Sequence, residues 1–124
     1  MSRQYWEEAL SFATADCTAI ANTTTETIIF PNVTIPANYM QDGRVLELIA
    51  RGRWGNVITS TPTFIWAIRW GGVSGTVLAQ SGAIVSPAAA TTAAQWKMEA
   101  HLQTRSNGAT GTIFTMGTIT MMED

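Results

Sequence analysis

The stretch that decides the fold is QWKMEAHLQT, residues 95–104, in which polar and apolar side chains alternate. A helix would place Trp96 and Met98 about 200° apart around its axis. A strand places them on one face with Ala100 and Leu102, and turns the charged and amide side chains to the other face. The stretch therefore predicts a β-strand with one buried face and one face in water.

Other runs from residue 23 onward show the same two-residue period. Residues 63–70 are the clearest, since their bulky side chains all fall on one face: Phe64, Trp66, Ile68 and Trp70. Further strands are predicted, between turns rich in Gly, Pro and Asn, at residues 25–30, 33–35, 43–54, 76–79 and 111–121. The small-residue stretch 86–94 is predicted to be a loop. About seven or eight short strands without a long helical pattern indicate an all-β fold, an antiparallel β-sandwich.

The composition excludes several classes of protein. Of the 124 residues, 46% are hydrophobic and 13% are charged, and the net charge is −2. A chain this apolar is not a disordered tail, and one without a basic excess is not expected to bind nucleic acid. No apolar run approaches the roughly 20 residues of a membrane span, so no membrane partner is expected. The first residues lack the apolar core of a signal peptide, which predicts synthesis and folding in a cytoplasm.

No arrangement of residues predicts catalysis. The chain has one histidine and one cysteine, too few for a disulfide or a common zinc site, so we expect no metal and no cofactor. His101 falls on the polar face of its strand, and Cys17 has no cationic neighbour in sequence to lower its pKa. The glycine-rich stretch 71–75 lacks the spacing of a nucleophile elbow. We therefore expect that the protein is not an enzyme.

Residues 1–22 differ from the rest of the chain and are predicted to form an N-terminal arm, which leaves residues 23–124 as the β-sandwich domain. The arm carries the bulky side chains Tyr5, Trp6, Leu10 and Phe12. These are too apolar for a free tail, so we expect the arm to dock on another subunit or partner.

Five tryptophans in a chain of this length exceed what one small core is expected to enclose. Core packing is predicted for Trp66, Trp96 and Trp70, which leaves Trp6 and Trp54 as candidates for an interface. The most basic stretch, residues 51–54, ends in one of them; we interpret it first as a solvated strand end and otherwise as a protein contact. The predicted interface residues are Tyr5, Trp6, Leu10, Phe12, Arg51, Arg53 and Trp54.

Several stretches, in this order, resemble small virion structural proteins of tailed bacteriophages. They are residues 23–27, 33–37, 42–46, 62–64, 69–72, 91–100 and 105–111. The resemblance covers about residues 23–120 and is to the jelly-roll-like β-sandwich domains of phage head decoration proteins and of fibre or knob proteins. It implies a structural role on the capsid surface of a virion. It further implies assembly as a homotrimer, contact with the major capsid protein or other virion subunits, and no catalytic residues.

The sequence therefore supports three interpretations of what the protein does. The first is a capsid decoration or cement protein that oligomerises and binds the outside of a phage head. The second is a head or tail fibre or knob subunit. The third is a carbohydrate-binding β-sandwich module in which an exposed Trp54 or Trp70 serves as a stacking platform.

Overall fold

The computed structural model describes residues 7–57, 61–87 and 90–122, in two compact units, Met1–Tyr39 and Met40–Asp124. All seven strands of the described residues belong to the second unit, and these residues contain no helix, which confirms the predicted all-β fold. The strands are β1 (Val45–Asn56), β2 (Thr63–Phe64), β3 (Ala67–Trp70), β4 (Thr76–Gln80), β5 (Ile84–Val85), β6 (Thr91–Ser106) and β7 (Thr112–Met121).

The largest sheet is antiparallel, with β6 hydrogen-bonded between β1 and β7. In its register, Met98 lies opposite Ala50 of β1 and opposite Ile119 of β7. Two small antiparallel sheets, β2 with β5 and β3 with β4, complete the described strands. The sheets pack against each other, with β4 contacting β7 and Phe64 of β2 packed on the core of the large sheet, so the packing is sandwich-like.

The three long strands lie where strict alternation predicted them. β6 also extends further toward its N-terminus than predicted, because Thr91 and Ala94 are buried and pair with β1. The Thr91 N–H donates to the Asn56 side-chain oxygen at 2.9 Å. The loop predicted over residues 86–94 is therefore wrong from Thr91 onward, since small side chains do not prevent a backbone from joining a ladder.

The single strand predicted over residues 63–70 is wrong, because the chain changes partner in its middle. β2 and β3 belong to different sheets, and Trp66 between them exchanges hydrogen bonds with Ser81. The Ser81 hydroxyl accepts from the Trp66 N–H at 2.9 Å, and the Ser81 N–H donates to the Trp66 carbonyl at 2.8 Å. Trp70, expected in the core, is 43% exposed.

The described part of the first unit, residues 7–39, contains no strand, so the strands predicted at residues 25–30 and 33–35 are wrong. Threonine side chains there bond to nearby backbone instead. The Thr25 N–H donates to the Thr23 hydroxyl, and the Thr27 hydroxyl donates to the Thr25 carbonyl, each at 3.0 Å. Such local bonds compete with a strand ladder. The boundary predicted at residue 22 falls inside this unit.

The core of the second unit is aromatic and lies on the inner face of the large sheet. Trp66 and Trp96 have ring centroids 4.4 Å apart, and Trp54 meets Phe64 edge to face at 5.5 Å. Trp54 is only 9% exposed, and its indole N–H donates to the Met122 carbonyl at 3.1 Å. The expectation that Trp54 is exposed at an interface is wrong, because the alternation of β1 turns it inward.

Gly52 makes this core possible by leaving room for a tryptophan ring. It lies directly opposite Trp96 in the register, and a Cβ built on Gly52 would stand 2.7 Å from the indole nitrogen of Trp96. That distance is well inside van der Waals contact, so the ring covers the glycine backbone itself. The missing side chain is therefore a packing requirement of the sheet.

We expect Gly52→Ala to lower the free energy of unfolding by about 2 kcal/mol, because the new methyl must displace a rigid, packed ring. Chemical denaturation measures the change. Gly82→Ala is the matched control, since a Cβ at Gly82 meets nothing within 4 Å and should leave stability unchanged. Equal losses in the two variants would contradict this account of the core.

Candidate protein-interaction surface

The face of the large sheet opposite the core, called here the outer face, presents a row of exposed side chains from each strand. Successive residues of a strand point to opposite sides, so every residue that does not face the core faces outward. All of these outward residues are exposed. They are Val45, Glu47, Ile49, Arg51 and Arg53 of β1, Gln95, Lys97, Glu99, His101 and Gln103 of β6, and Phe114, Met116, Thr118 and Thr120 of β7.

The outer face carries large apolar side chains on its two flanking strands. Val45 and Ile49 lie on β1, Phe114 and Met116 lie on β7, and their exposed fractions range from 49% to 63%. Val45 and Phe114 lie opposite the same residue of β6, Gln103, so the two apolar pairs flank a polar central strand. Apolar groups gathered on an exposed face are typical of a surface that binds another protein.

Pairs of ionisable side chains run along the middle of the same face. Lys97 Nζ lies 2.7 Å from Glu99 Oε1, and His101 Nε2 lies 3.4 Å from Glu47 Oε2. The hydrogen bond from Lys97, and then its positive charge, hold the pKa of the Glu99 carboxyl below its ordinary value, with a smaller contribution from His101. These pairs are exposed, so each contributes little to stability.

Arg51 and Arg53, predicted at an interface, are both exposed on this face. Arg51 lies opposite Lys97, a like charge, and Arg53 lies opposite Gln95. Neither arginine has a carboxylate partner within 4 Å among residues 7–57, 61–87 and 90–122. The centre of β1 therefore presents positive charge that no carboxylate of the described residues neutralises at salt-bridge distance.

The other predicted interface residues belong to the first unit. Leu10 and Phe12 are exposed, Phe12 to 79%. Tyr5 and Trp6 lie outside the described residues. An exposed phenylalanine and leucine so close together fit the expectation of an arm that docks on a partner, and the docking itself stays a prediction.

The two potential catalytic groups, His101 and Cys17, belong to different units of the chain. His101 has Glu47 and Met116 opposite it on the neighbouring strands, neither of which is a hydroxyl or thiol that an imidazole could activate. Cys17 is half-buried in the first unit. In the described portion of the chain, no group of three His, Cys, Asp or Glu residues could hold a metal ion. A depression lined by Gly43, Gln103, Thr104, Arg105 and Phe114 is wide open to solvent.

Sequence reasoning missed Phe114 and Met116. The sequence contains the signal for them. Residues 112–121 alternate, so Phe114 and Met116 lie on the face of β7 that Ile113 and Ile119 do not occupy.

Comparison with known proteins identifies no relative: no family model, curated protein or solved structure matches the chain. Within the described residues, there is no helix of the length and apolarity that a membrane crossing needs.

We expect Lys97→Gln to raise the pKa of Glu99, because the substitution removes the bond and the charge that stabilise its carboxylate. A carboxyl-detected NMR titration measures it. Since the folded-state pKa is lowered, the pair stabilises the fold at neutral pH and loses that effect as pH falls through the folded pKa. Lys97→Arg keeps a cation and should keep the pKa low; an unchanged pKa in Lys97→Gln would contradict the assignment.

Proposed function

We propose that the chain is a structural virion protein, a decoration or cement protein that binds the outside of a tailed phage head and self-associates there. The observation that carries the proposal is the amount of apolar surface left exposed on a small all-β chain, on the outer face and in the first unit. Protein partners are the usual means of covering such surface. The resemblance of residues 23–120 to virion proteins supports the choice of partner, the major capsid protein or another virion subunit.

The first unit supplies a means of attachment. Its exposed Leu10 and Phe12 sit in a segment without strands, which can follow the contour of another subunit. Burying the phenylalanine ring stabilises such a contact by about 2 kcal/mol. Assembly as a trimer on the particle, as the resemblance implies, joins three such arms, so avidity strengthens attachment without new contact types.

Deleting residues 1–12 should leave a folded second unit that binds heads much more weakly. The assay is co-sedimentation with heads of the encoding phage assembled without this protein, and circular dichroism checks the fold. The pair Leu10→Ala and Phe12→Ala should reproduce the loss. Thr14→Ala with Thr18→Ala, also exposed in the same segment, is the matched control and should bind normally. Undiminished binding of the deletion would show that attachment lies outside the arm.

Carbohydrate binding is the second candidate function, and one observation favours it. Trp70 is 43% exposed at the end of β3, where an indole can stack on a sugar ring. The other candidate platform, Trp54, is buried and cannot serve.

If this second function holds, a glycan array should give binding that Trp70→Ala abolishes while Phe114→Ala, at another exposed aromatic, preserves it. An array without binding would remove this candidate and leave the structural role.

A further inference from the structure

The strand β1 lies at the edge of the large sheet, and its outer edge has no pairing strand in the described part of the chain. β1 is twelve residues long and, among the described strands, contacts β6 alone, whereas β7 at the opposite edge also contacts β4. An exposed edge of this length is a template for pairing with another chain.

The direction of the backbone groups can be assigned residue by residue. On the β1 side of β6, the Thr104 N–H donates to the Arg44 carbonyl. On the β7 side of β6, the Met122 N–H donates to the Gln95 carbonyl. Hydrogen-bonded pairs alternate along an antiparallel ladder, so even-numbered residues of β1 bond to β6. The odd-numbered residues direct N–H and C=O groups away from the sheet: Val45, Glu47, Ile49, Arg51 and Arg53.

Two of the three charges on this edge lie symmetrically about Ile49, with Glu47 two residues before it and Arg51 two residues after. We propose that β1 pairs with β1 of a second copy, antiparallel and about a two-fold axis at Ile49. Glu47 of each copy then lies opposite Arg51 of the other. This contact goes beyond the proposed function, because it requires no capsid partner.

Charge complementarity selects the second copy as the occupant of the edge. Within one subunit, Arg51 lies opposite Lys97 and has no carboxylate partner among the described residues. The second copy supplies that carboxylate from Glu47. Two-fold registers centred on Glu47 or Arg51 instead place like charges directly opposite each other, which is destabilising.

The inner face of the paired strands is also complementary. The two-fold register at Ile49 places Leu46 opposite Gly52 and Leu48 opposite Ala50 of the second copy. Leu46 and Leu48 are half-buried in the single subunit, and pairing extends the core across the two-fold axis. The product is a continuous six-stranded sheet with one shared outer face. A three-fold arrangement on a particle would use other surfaces.

The first test is a backbone substitution read by light scattering. The full chain should have twice the 13.4 kDa mass of one subunit at high micromolar concentration. Ile49→Pro should be monomeric and folded, because proline removes an N–H that faces away from β6. A monomeric wild-type chain, or an oligomer that survives Ile49→Pro, would overturn the proposal.

The second test is charge reversal, which also decides the register. Glu47→Arg should weaken dimerisation at least about tenfold, and adding Arg51→Glu should restore it to within about threefold. Adding Arg53→Glu instead should not restore it; rescue there would place the axis at Ala50 and overturn the register. Arg105→Glu reverses a charge away from this edge and is the control for charge reversal as such; it should dimerise normally. Thermal melts confirm that each variant folds.

The two proposals fail separately in these experiments. A chain that dimerises through β1 but does not bind phage heads removes the proposed function and supports this contact. A monomeric chain that still binds heads overturns this contact and leaves the proposed function standing.

Discussion

The contact of the Trp96 ring with the bare backbone of Gly52 is the constraint on which the second unit depends. It fixes the register of β6 against β1, because no other residue of β1 next to the ring lacks a side chain. The ring of Trp66 packs at a tilt against that of Trp96, and this contact holds the segment between β2 and β3 on the sheet. One missing side chain thus sets both the pairing of the two longest strands and the position of the second layer.

The same alternation that builds the core also determines what the molecule presents to partners. Each inward residue of β1 has an outward neighbour, so burying Ala50 and Trp54 places Ile49, Arg51 and Arg53 in water. A small sheet with one layer against it cannot cover both of its faces. The exposure of the apolar groups on the outer face is therefore a result of the architecture.

Sequence patterning predicted the elements in which local and tertiary preferences agree. In β1, β6 and β7, inward and outward side chains alternate over many residues, and pairing of these strands in one sheet requires the same alternation. Residues 63–70 alternate equally well, yet the backbone of Trp66 bonds to Ser81. This partner lies 15 residues away in sequence, so the local pattern does not predict it. Among the candidate site residues, Arg51 and Arg53 are exposed because odd-numbered residues of β1 face outward. The same alternation places Trp54 inside, so the expectation that one small core cannot enclose it was wrong.

The spacing of the paired strands along the chain has a consequence for how the second unit forms. β6 and β7 are joined by residues 107–111 and form a hairpin, with the Asn107 N–H held by the Asp42 carboxylate at 2.7 Å. β1 reaches β6 only across residues 57–90, so closing that long loop costs entropy before any β1 pairing compensates for it. Folding with such non-local contacts is slow. A β6–β7 hairpin that forms before β1 pairs would expose the edge of β6 that β1 covers in the folded unit.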